Sequence, residues 1–112
     1  MKLLHRPRCT KSREALALLT DKEADFSIVK YDETPLTNQE LKDLADMLID
    51  PIEKLVRTKE KTFKEKYSKT KLTKANVIKI LTKNPELMER PILVNNGKAI
   101  IGRPPEKVLD IL

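Results

Sequence analysis

Residues 2–19 read KLLHRPRCTKSREALALL, and the predicted fold depends on this segment. A lysine followed by two leucines, residues 2–4, indicates a short strand, and the apolar residues after Glu14 repeat at helical spacing. Between these segments lies a basic loop, residues 5–13, with three arginines, one lysine, and the only histidine and cysteine of the chain. The pattern predicts a strand, a loop and a helix from Ser12 to about Thr20.

Cys9 is the candidate nucleophile, because it is expected in the turn before this helix or at its first residues. A helix start carries unpaired backbone N–H groups and the positive end of the helix dipole, which favour an anion over a neutral thiol. A free thiol has a pKa of about 8.5, and cationic neighbours at a helix N-terminus lower it. We therefore expect a sizeable thiolate fraction at neutral pH. The alternative is a small buried core residue, the usual role of a lone cysteine.

The composition limits the classes of protein that this chain can belong to. Its 112 residues, 39% hydrophobic and 36% charged, are typical of one globular domain. The longest unbroken apolar run, Ala15 to Leu19, is far too short to cross a membrane, so no membrane association is expected. A single cysteine cannot form an intramolecular disulfide, which indicates a reducing compartment and a cytoplasmic location.

The net charge of +6 is unevenly distributed along the chain. Residues 53–83 contain eleven basic and three acidic side chains, whereas residues 15–52 contain three basic and nine acidic ones. A basic surface can attract nucleic acid, a small oxyanion or an acidic protein. Only four aromatic residues occur, and they are not interleaved with the basic ones in a way that would stack bases, so nucleic acid is not the expected partner. The lysines of residues 59–83 are interpreted as a solvated face.

Local signals predict further elements along the chain. Residues 26–31 alternate and are rich in β-formers, which indicates a second strand. Residues 37–40, Thr-Asn-Gln-Glu, match a capping box at a helix start, and Thr73 is placed to cap another helix. Short helices are expected after Asp50-Pro51 and near Glu60 to Lys66.

The C-terminal part predicts a hairpin followed by a helix. Residues 90–94, Arg-Pro-Ile-Leu-Val, indicate a strand, and residues 99–101 are a second apolar run. Between them lies the turn Asn95-Asn96-Gly97, in which Asn96 and Gly97 can supply positive φ. The last helix is expected from Glu106 to Leu112. Its apolar side is expected to comprise Val108, Leu109 and Leu112.

The predicted order is β-α-β, a block of helices, and β-β-α. A βαβ unit forms a parallel pair, and the late hairpin adds antiparallel strands to the same sheet. We predict an α/β, thioredoxin-like fold: a mixed four-stranded sheet (βαβ…ββα) with an all-helical insertion. The single domain covers residues 1–112, with halves at about 1–35 and 86–112 and the insertion at about 36–85. The Cys9 loop then lies at the carboxyl end of the sheet, where open α/β sheets place their sites.

Three arginines, Arg57, Arg90 and Arg103, are candidate anion-binding residues. Each ends or interrupts an apolar segment, where a lysine with its charge in solvent would serve equally well. The planar guanidinium instead binds tetrahedral oxyanions through paired N–H donors. For any one of them a surface or ion-paired role is the alternative. Together with Cys9, they indicate an oxyanion site.

The chain resembles the glutaredoxin-coupled arsenate reductases of the thioredoxin superfamily, and specifically their short members. The resemblance covers nearly the whole chain. It is carried by His5-x-Pro7-x-Cys9-x-x-Ser12-Arg13, Thr34-Pro35, Leu55-Val56-Arg57-Thr58-Lys59-Glu60, Glu89-Arg90-Pro91-Ile92 and Ile101-Gly102-Arg103-Pro104-Pro105-Glu106. Two positions depart from the family pattern: Arg6 replaces the usual asparagine, and Thr10 stands where glycine or serine is commoner.

The resemblance implies a complete set of roles. Cys9 attacks arsenate, His5 and Ser12 help hold it as thiolate, and the oxyanion is bound by Arg57, Arg90 and Arg103. Pro91 is the implied cis-proline. The chain binds no cofactor and no metal, acts as a monomer, and takes its reducing thiols from glutathione and glutaredoxin, because it has no second cysteine to resolve the adduct.

Two alternatives from other classes remain. The first is a glutaredoxin-like thiol oxidoreductase without arsenate activity. The second is a non-enzymatic, redox-sensing regulator of the same fold that binds RNA polymerase. Such regulators generally use a Cys-x-x-Cys switch, and Ser12 occupies the position of its second cysteine here.

Overall fold

The computed structural model describes residues 1–31 and 33–112. Strand β1 (Lys2–Leu4) lies inside a four-stranded sheet in which β2 (Ser27–Val29) is its parallel neighbour. On its other side β1 pairs antiparallel with β3 (Ile92–Asn95), which forms a hairpin with β4 (Lys98–Ile101). The strand order is therefore β2-β1-β3-β4. This confirms the predicted mixed sheet and the α/β class.

The helices are distributed over both faces of this sheet. The α-helices are α1 (Thr10–Asp21), α2 (Asn38–Met47), α3 (Lys61–Tyr67) and α4 (Lys74–Lys83), and 3₁₀-helices cover Ile52–Leu55, Pro85–Leu87 and Pro105–Ile111. Successive strand residues point to opposite faces. Leu3, Leu93 and Ile100 accordingly pack with α1 and the last 3₁₀-helix. Leu4, Ile92 and Ile101 pack with the core formed by the helices between β2 and β3.

Local sequence signals account for most helix and turn boundaries. The Thr37 side chain accepts a hydrogen bond from the Glu40 amide, while the Glu40 carboxylate accepts one from the Thr37 amide, so the capping box is confirmed. Thr73 caps α4 in the same way through the Asn76 amide. Asn96 and Gly97 adopt φ values of 53° and 73°, as the hairpin requires.

The last helix differs from its prediction in type and in buried face. It is a 3₁₀-helix from Pro105 to Ile111, and Leu112 is about half exposed. A 3₁₀-helix has three residues per turn, so positions i and i+3 share a side. Pro105, Val108 and Ile111 are therefore the buried residues, and the predicted stripe through Leu109 and Leu112, which assumed α-helical spacing, was wrong.

Parallel pairing places the Cys9 loop at the carboxyl end of the sheet. The amide of His5 donates to the carbonyl of Val29 at 2.9 Å, which extends the pairing of β1 and β2 by one residue before the loop begins. Helix α1 then starts at Thr10, two residues earlier than predicted. In the described part of the chain, no helix is both long and apolar enough to cross a membrane.

Candidate active site

Cys9 is the N-cap residue of α1. Its backbone is extended, with φ −90° and ψ 124°, and its carbonyl accepts the first helical hydrogen bond, from the amide of Arg13 at 3.0 Å. The amide of Cys9 donates to the carbonyl of Arg6 at 3.0 Å, which closes the turn before the helix. The thiol is partly exposed and forms no disulfide. The sulfur therefore lies at the positive end of a helix and within reach of a reactant.

The surroundings of Cys9 favour its thiolate. Burial raises the pKa of the Cys9 thiol, but the backbone amide of Ser12 and the guanidinium groups of Arg90 and Arg103 together lower the pKa below its ordinary value. The Ser12 amide belongs to the first turn of α1, so part of this stabilisation comes from the helix terminus. The predicted activation by the helix start and by cations is therefore present in the geometry.

His5 and Ser12 hold the loop from inside. The Nδ1 atom of His5 and the Oγ atom of Ser12 are hydrogen-bonded at 2.6 Å, and both residues are buried. The same Oγ accepts the amide of Arg6 at 3.0 Å. These contacts fix the backbone on both sides of Cys9, so His5 and Ser12 determine where the sulfur and the Ser12 amide lie.

Arg103 is in direct contact with the sulfur. Its Nη2 donates to Cys9 Sγ at 3.4 Å, while its Nε donates to the carbonyl of Arg90 at 2.8 Å and lies 2.9 Å from Glu89 Oε1. The segment before it is tightly packed: a Cβ on Gly102 would lie 2.9 Å from side-chain atoms of Pro91 and of the last 3₁₀-helix. Arg103 therefore projects from a fixed backbone position.

Arg90 is the second arginine beside Cys9, and its peptide bond to Pro91 is cis, the isomer that the resemblance implies. The Arg103–Pro104 bond is also cis, which no sequence signal indicated. Nη1 of Arg90 donates to the carbonyl of Glu86 at 3.4 Å. Its Nε is buried and has no hydrogen-bond partner within the protein.

Arg57 is held next to this segment rather than against the sulfur. Its amide donates to the carbonyl of Leu87 at 2.7 Å, and the Glu89 amide donates to the carbonyl of Leu55 at 2.8 Å, so the two segments run side by side. The Arg57 guanidinium forms an ion pair with Glu60 at 2.9 Å, yet its Nη1 is buried without a partner. The structure thus brings Arg90 and Arg103 to Cys9, and connects Arg57 to them through residues 87–90.

Two adjoining clefts surround these arginines. The Arg57 cleft, about 340 Å³, is lined by Arg57, Glu60, Glu89 and Arg103, among others. The Lys54 cleft, about 540 Å³, extends over Lys54 and shares five lining residues with the Arg57 cleft: Val56, Thr58, Lys59, Glu89 and Arg103. Cys9 is not part of either described wall. Arg103 connects both clefts to the sulfur, because it lines each of them and donates to Sγ.

Two residues near the site were missed by sequence reasoning, Tyr31 and Glu89. Tyr31 is fully buried, its hydroxyl donates to the carbonyl of Met88 at 3.5 Å, and burial raises its pKa to about 12, against the opposing charges of Arg90 and Arg6. The Glu89 carboxylate accepts the amide of Arg90 at 3.2 Å and pairs with Arg103. The position of Tyr31 just after β2 was a usable signal, because parallel strands end at the site.

The site contains a partly exposed thiol and several guanidinium groups. Among the residues that the structure describes, no cluster of three His, Cys, Asp or Glu side chains could hold a metal ion. The arrangement provides a thiol with a lowered pKa next to Arg90 and Arg103, and a buried N–H without a partner in the described protein on each of Arg90 and Arg57. Such donors suit a tetrahedral oxyanion that reacts with the sulfur.

The chain is similar to known proteins over nearly its whole length. Residues 4–111 match the model of the ArsC family. A solved arsenate reductase from Vibrio cholerae is 40% identical, superposes with a TM-score of 0.89, and the match covers 100% of this chain and 98% of that one. An Escherichia coli K12 protein, the uncharacterized protein YfgD, is 45% identical over 100% of this chain and 96% of its own length.

A relative with a different role is also similar. The regulatory protein MgsR of Bacillus subtilis 168 is 32% identical over 94% of this chain and 84% of its own length. Members of this group thus include a protein named as a regulator as well as one named as an enzyme.

Proposed function

Because this chain belongs to the ArsC family of arsenate reductases, we propose that it reduces arsenate with thiols supplied from outside. The observation that carries the proposal is the pair of buried, unpartnered donors, Arg57 Nη1 and Arg90 Nε. An unsatisfied buried donor costs about 1–3 kcal/mol, and native proteins keep few of them. Both atoms belong to arginines that the sequence predicts to bind the oxyanion. An arsenate anion would satisfy them.

The first chemical step uses the lowered pKa of Cys9. The thiolate attacks arsenic, an arsenate oxygen leaves as water, and a Cys9–S–As(V) adduct forms, so that one protein thiol and one molecule of arsenic acid give one adduct and one water. Arg90 and Arg103 neutralise charge on the arsenate oxygens as the bond forms. Arg103 changes partner in this step, from the thiolate sulfur to the oxyanion.

The second step needs a thiol from another molecule, because Cys9 is the only cysteine. That thiol reduces the adduct, arsenite leaves, and a further thiol regenerates Cys9. Glutathione and a glutaredoxin are the proposed reductants, no cofactor or metal is required, and a cytoplasmic, monomeric protein fits this chemistry.

Arsenite production tests the proposal. With arsenate, glutathione and a glutaredoxin, the wild-type chain should release arsenite at a rate that saturates with arsenate, and Cys9→Ser should release none. Arsenate alone should raise the Tm of the wild type, since a ligand that binds only the folded state stabilises it. The Tm rise should be lost in Arg57→Ala and Arg90→Ala but kept in Lys79→Ala, an exposed lysine of α4. Full turnover by Cys9→Ser would exclude the mechanism.

MgsR favours a second candidate, a regulatory role without turnover. Against it stands Ser12: its hydroxyl is fully buried in the contacts with His5 and Arg6, and it cannot form the disulfide of a Cys-x-x-Cys switch. Binding of RNA polymerase by the purified chain, together with no arsenite release, would support this role.

A further inference from the structure

The proposed function leaves the position of the second substrate open, and this inference rests on that function. The adduct on Cys9 must be attacked by a thiol that approaches from outside. Arsenate bound by Arg57 would lie in the Arg57 cleft, which Arg103 also lines. The neighbouring Lys54 cleft has about 540 Å³, within the range of about 300–1,000 Å³ typical of small-molecule sites.

The two clefts meet at the residue that touches the nucleophile. Arg103 and Glu89 line both of them, and Arg103 Nη2 lies 3.4 Å from Cys9 Sγ. A molecule that fills the Lys54 cleft as far as Arg103 is therefore one side chain away from the sulfur. Val56, Thr58 and Lys59 also line both clefts, so a ligand at the Lys54 end leaves arsenate the other end, which Arg57 and Glu60 line alone.

The charges of the Lys54 cleft define the kind of ligand that it suits. Arg103 is paired with Glu89 at 2.9 Å, and Lys107 with Asp50 at 2.7 Å. The remaining charged groups of the wall are Lys54, Lys59 and Glu53, and within the described chain these form no ion pair. Two free cations and one free anion match a ligand with two carboxylates and one ammonium group.

The floor of the cleft is apolar. Val56, Leu72 and Ile101 contribute to the wall between the charged groups, and Val56 and Ile101 are themselves core residues. An apolar floor with charged groups at the rim suits a short peptide, whose methylene groups pack inside while its charged ends reach the lysines.

We propose that the Lys54 cleft binds the reducing substrate, a small peptide thiol with two carboxylates and one ammonium group, of which glutathione is the example. Lys54 and Lys59 bind its carboxylates and Glu53 its ammonium group. Its thiol is directed towards Arg103 and Cys9.

The step that this site serves balances in atoms and electrons. The incoming thiol sulfur attacks the Cys9 sulfur of the adduct, an S–S bond forms, and the S–As bond breaks. The electron pair of that bond remains on arsenic, which is reduced from As(V) to As(III), while the two sulfurs are oxidised to a disulfide. The thiol proton passes to the departing arsenite, so one adduct and one thiol give one mixed disulfide and one molecule of arsenous acid.

Binding of S-methylglutathione, which cannot be oxidised to a disulfide, tests the site without any turnover. Added to the ¹⁵N-labelled wild-type protein, it should shift the amide resonances of residues 53–59 and 101–103. Lys54→Glu should weaken this binding about two- to fivefold, given typical exposed ion-pair strengths. Lys64→Glu, the same charge change on α3 outside the cleft, is the matched control and should bind as the wild type does.

The outcomes separate this inference from the proposed function. Shifts confined to the cleft in a protein that releases no arsenite would support the site and overturn the reductase proposal. Arsenite release with glutathione, in a protein whose S-methylglutathione shifts are absent or spread over the exposed lysines of α3 and α4, would overturn the site. Equal weakening by Lys64→Glu would overturn it as well, because the effect would then be one of net charge.

Discussion

The Cys9 site and the lysine-rich segment of residues 59–83 are both strongly basic, but they hold their charges differently. At the site, Arg103 has protein partners for Nε and Nη2, and Ser12 is held by two hydrogen bonds. In the segment, all nine lysines are exposed, and the described ion pairs that these lysines form are those of Lys61 with Glu65 and of Lys74 with Asp46. A fixed charge can act on a reacting group, whereas a solvated one contributes mainly to the long-range field.

The largest effect is expected from Arg103. Arg103→Ala removes the donor to Cys9 Sγ and should lower kcat/KM for arsenate about 10²–10³-fold, the usual loss for one charge-stabilising donor. Arg103→Lys should be intermediate, because lysine keeps the charge but lacks the planar fork. Steady-state kinetics measure kcat/KM for these variants, with Lys79→Ala as the matched control. Similar losses in Arg103→Ala and Lys79→Ala would remove the distinction between held and solvated charges.

The next effect concerns the backbone behind Arg103. Gly102→Ala introduces a Cβ at 2.9 Å from Pro91 and Val108 side-chain atoms, and overpacking of this kind typically costs about 1–3 kcal/mol. We expect a lower Tm and, because Arg103 follows directly, a lower kcat/KM. Gly97→Ala is the control: its Cβ would meet nothing within 4 Å, so only the positive φ is strained and activity should be kept. Loss of activity in both variants would show that stability alone governs it.

A smaller effect is expected at Glu89, where charge and position can be separated. Glu89→Gln keeps an acceptor for Arg103 but removes a negative charge near the site, so the pKa of Cys9 should fall further. Glu89→Ala releases Arg103, so the pKa of Cys9 should rise and kcat/KM should fall about tenfold, as expected for one charged hydrogen bond. The pH dependence of Cys9 alkylation measures the Cys9 pKa in both variants. If the Cys9 pKa shifted in the same direction in both variants, Glu89 would not position Arg103. Glu65→Gln is the control and should change neither the Cys9 pKa nor kcat/KM.

The smallest effect is expected at Tyr31. Tyr31→Phe removes the hydroxyl near Arg90 and Met88 and should cost about 1 kcal/mol of stability, one hydrogen bond's typical contribution. Because the pKa of Tyr31 is raised to about 12, its phenol stays neutral in the folded state above the pH where an unfolded tyrosine ionises, so the folded state is disfavoured as pH rises above about 10. Absorbance titration should show a late-ionising tyrosine in the wild type that Tyr31→Phe lacks. If the late-ionising tyrosine were still present in Tyr31→Phe, the raised pKa would not belong to Tyr31.

Much of the fold was predictable because its signals are local. The capping box at Thr37, the cap at Thr73 and the turn at Asn96-Gly97 each act through neighbouring residues, and each is present in the structure. The last helix was mispredicted because its choice between three and 3.6 residues per turn depends on packing against α1 and the sheet.

The sequence predicted which residues belong to the site but not how they are arranged. Cys9, Arg90 and Arg103 were identified by residue type and by position at segment ends, and the structure brings them together. Sequence did not separate Arg57 from the other two, since its place is fixed by backbone pairing with Leu87 and Glu89 across the helical insertion. Glu89 was missed for a similar reason: a carboxylate before an arginine has no distinctive pattern until Arg103 is seen to bind it.

The most direct test of the central claim is the mass of the intact protein after incubation with arsenate and reduced glutathione, without a glutaredoxin. The mass should increase by one glutathione, mapped to Cys9 by digestion, and this increase should require arsenate and be absent from Cys9→Ser. Reduced glutathione alone cannot form that disulfide, so the dependence on arsenate identifies arsenic as the oxidant. If the protein released arsenite but showed no arsenate-dependent gain of glutathione on Cys9, Cys9 would not carry the reaction.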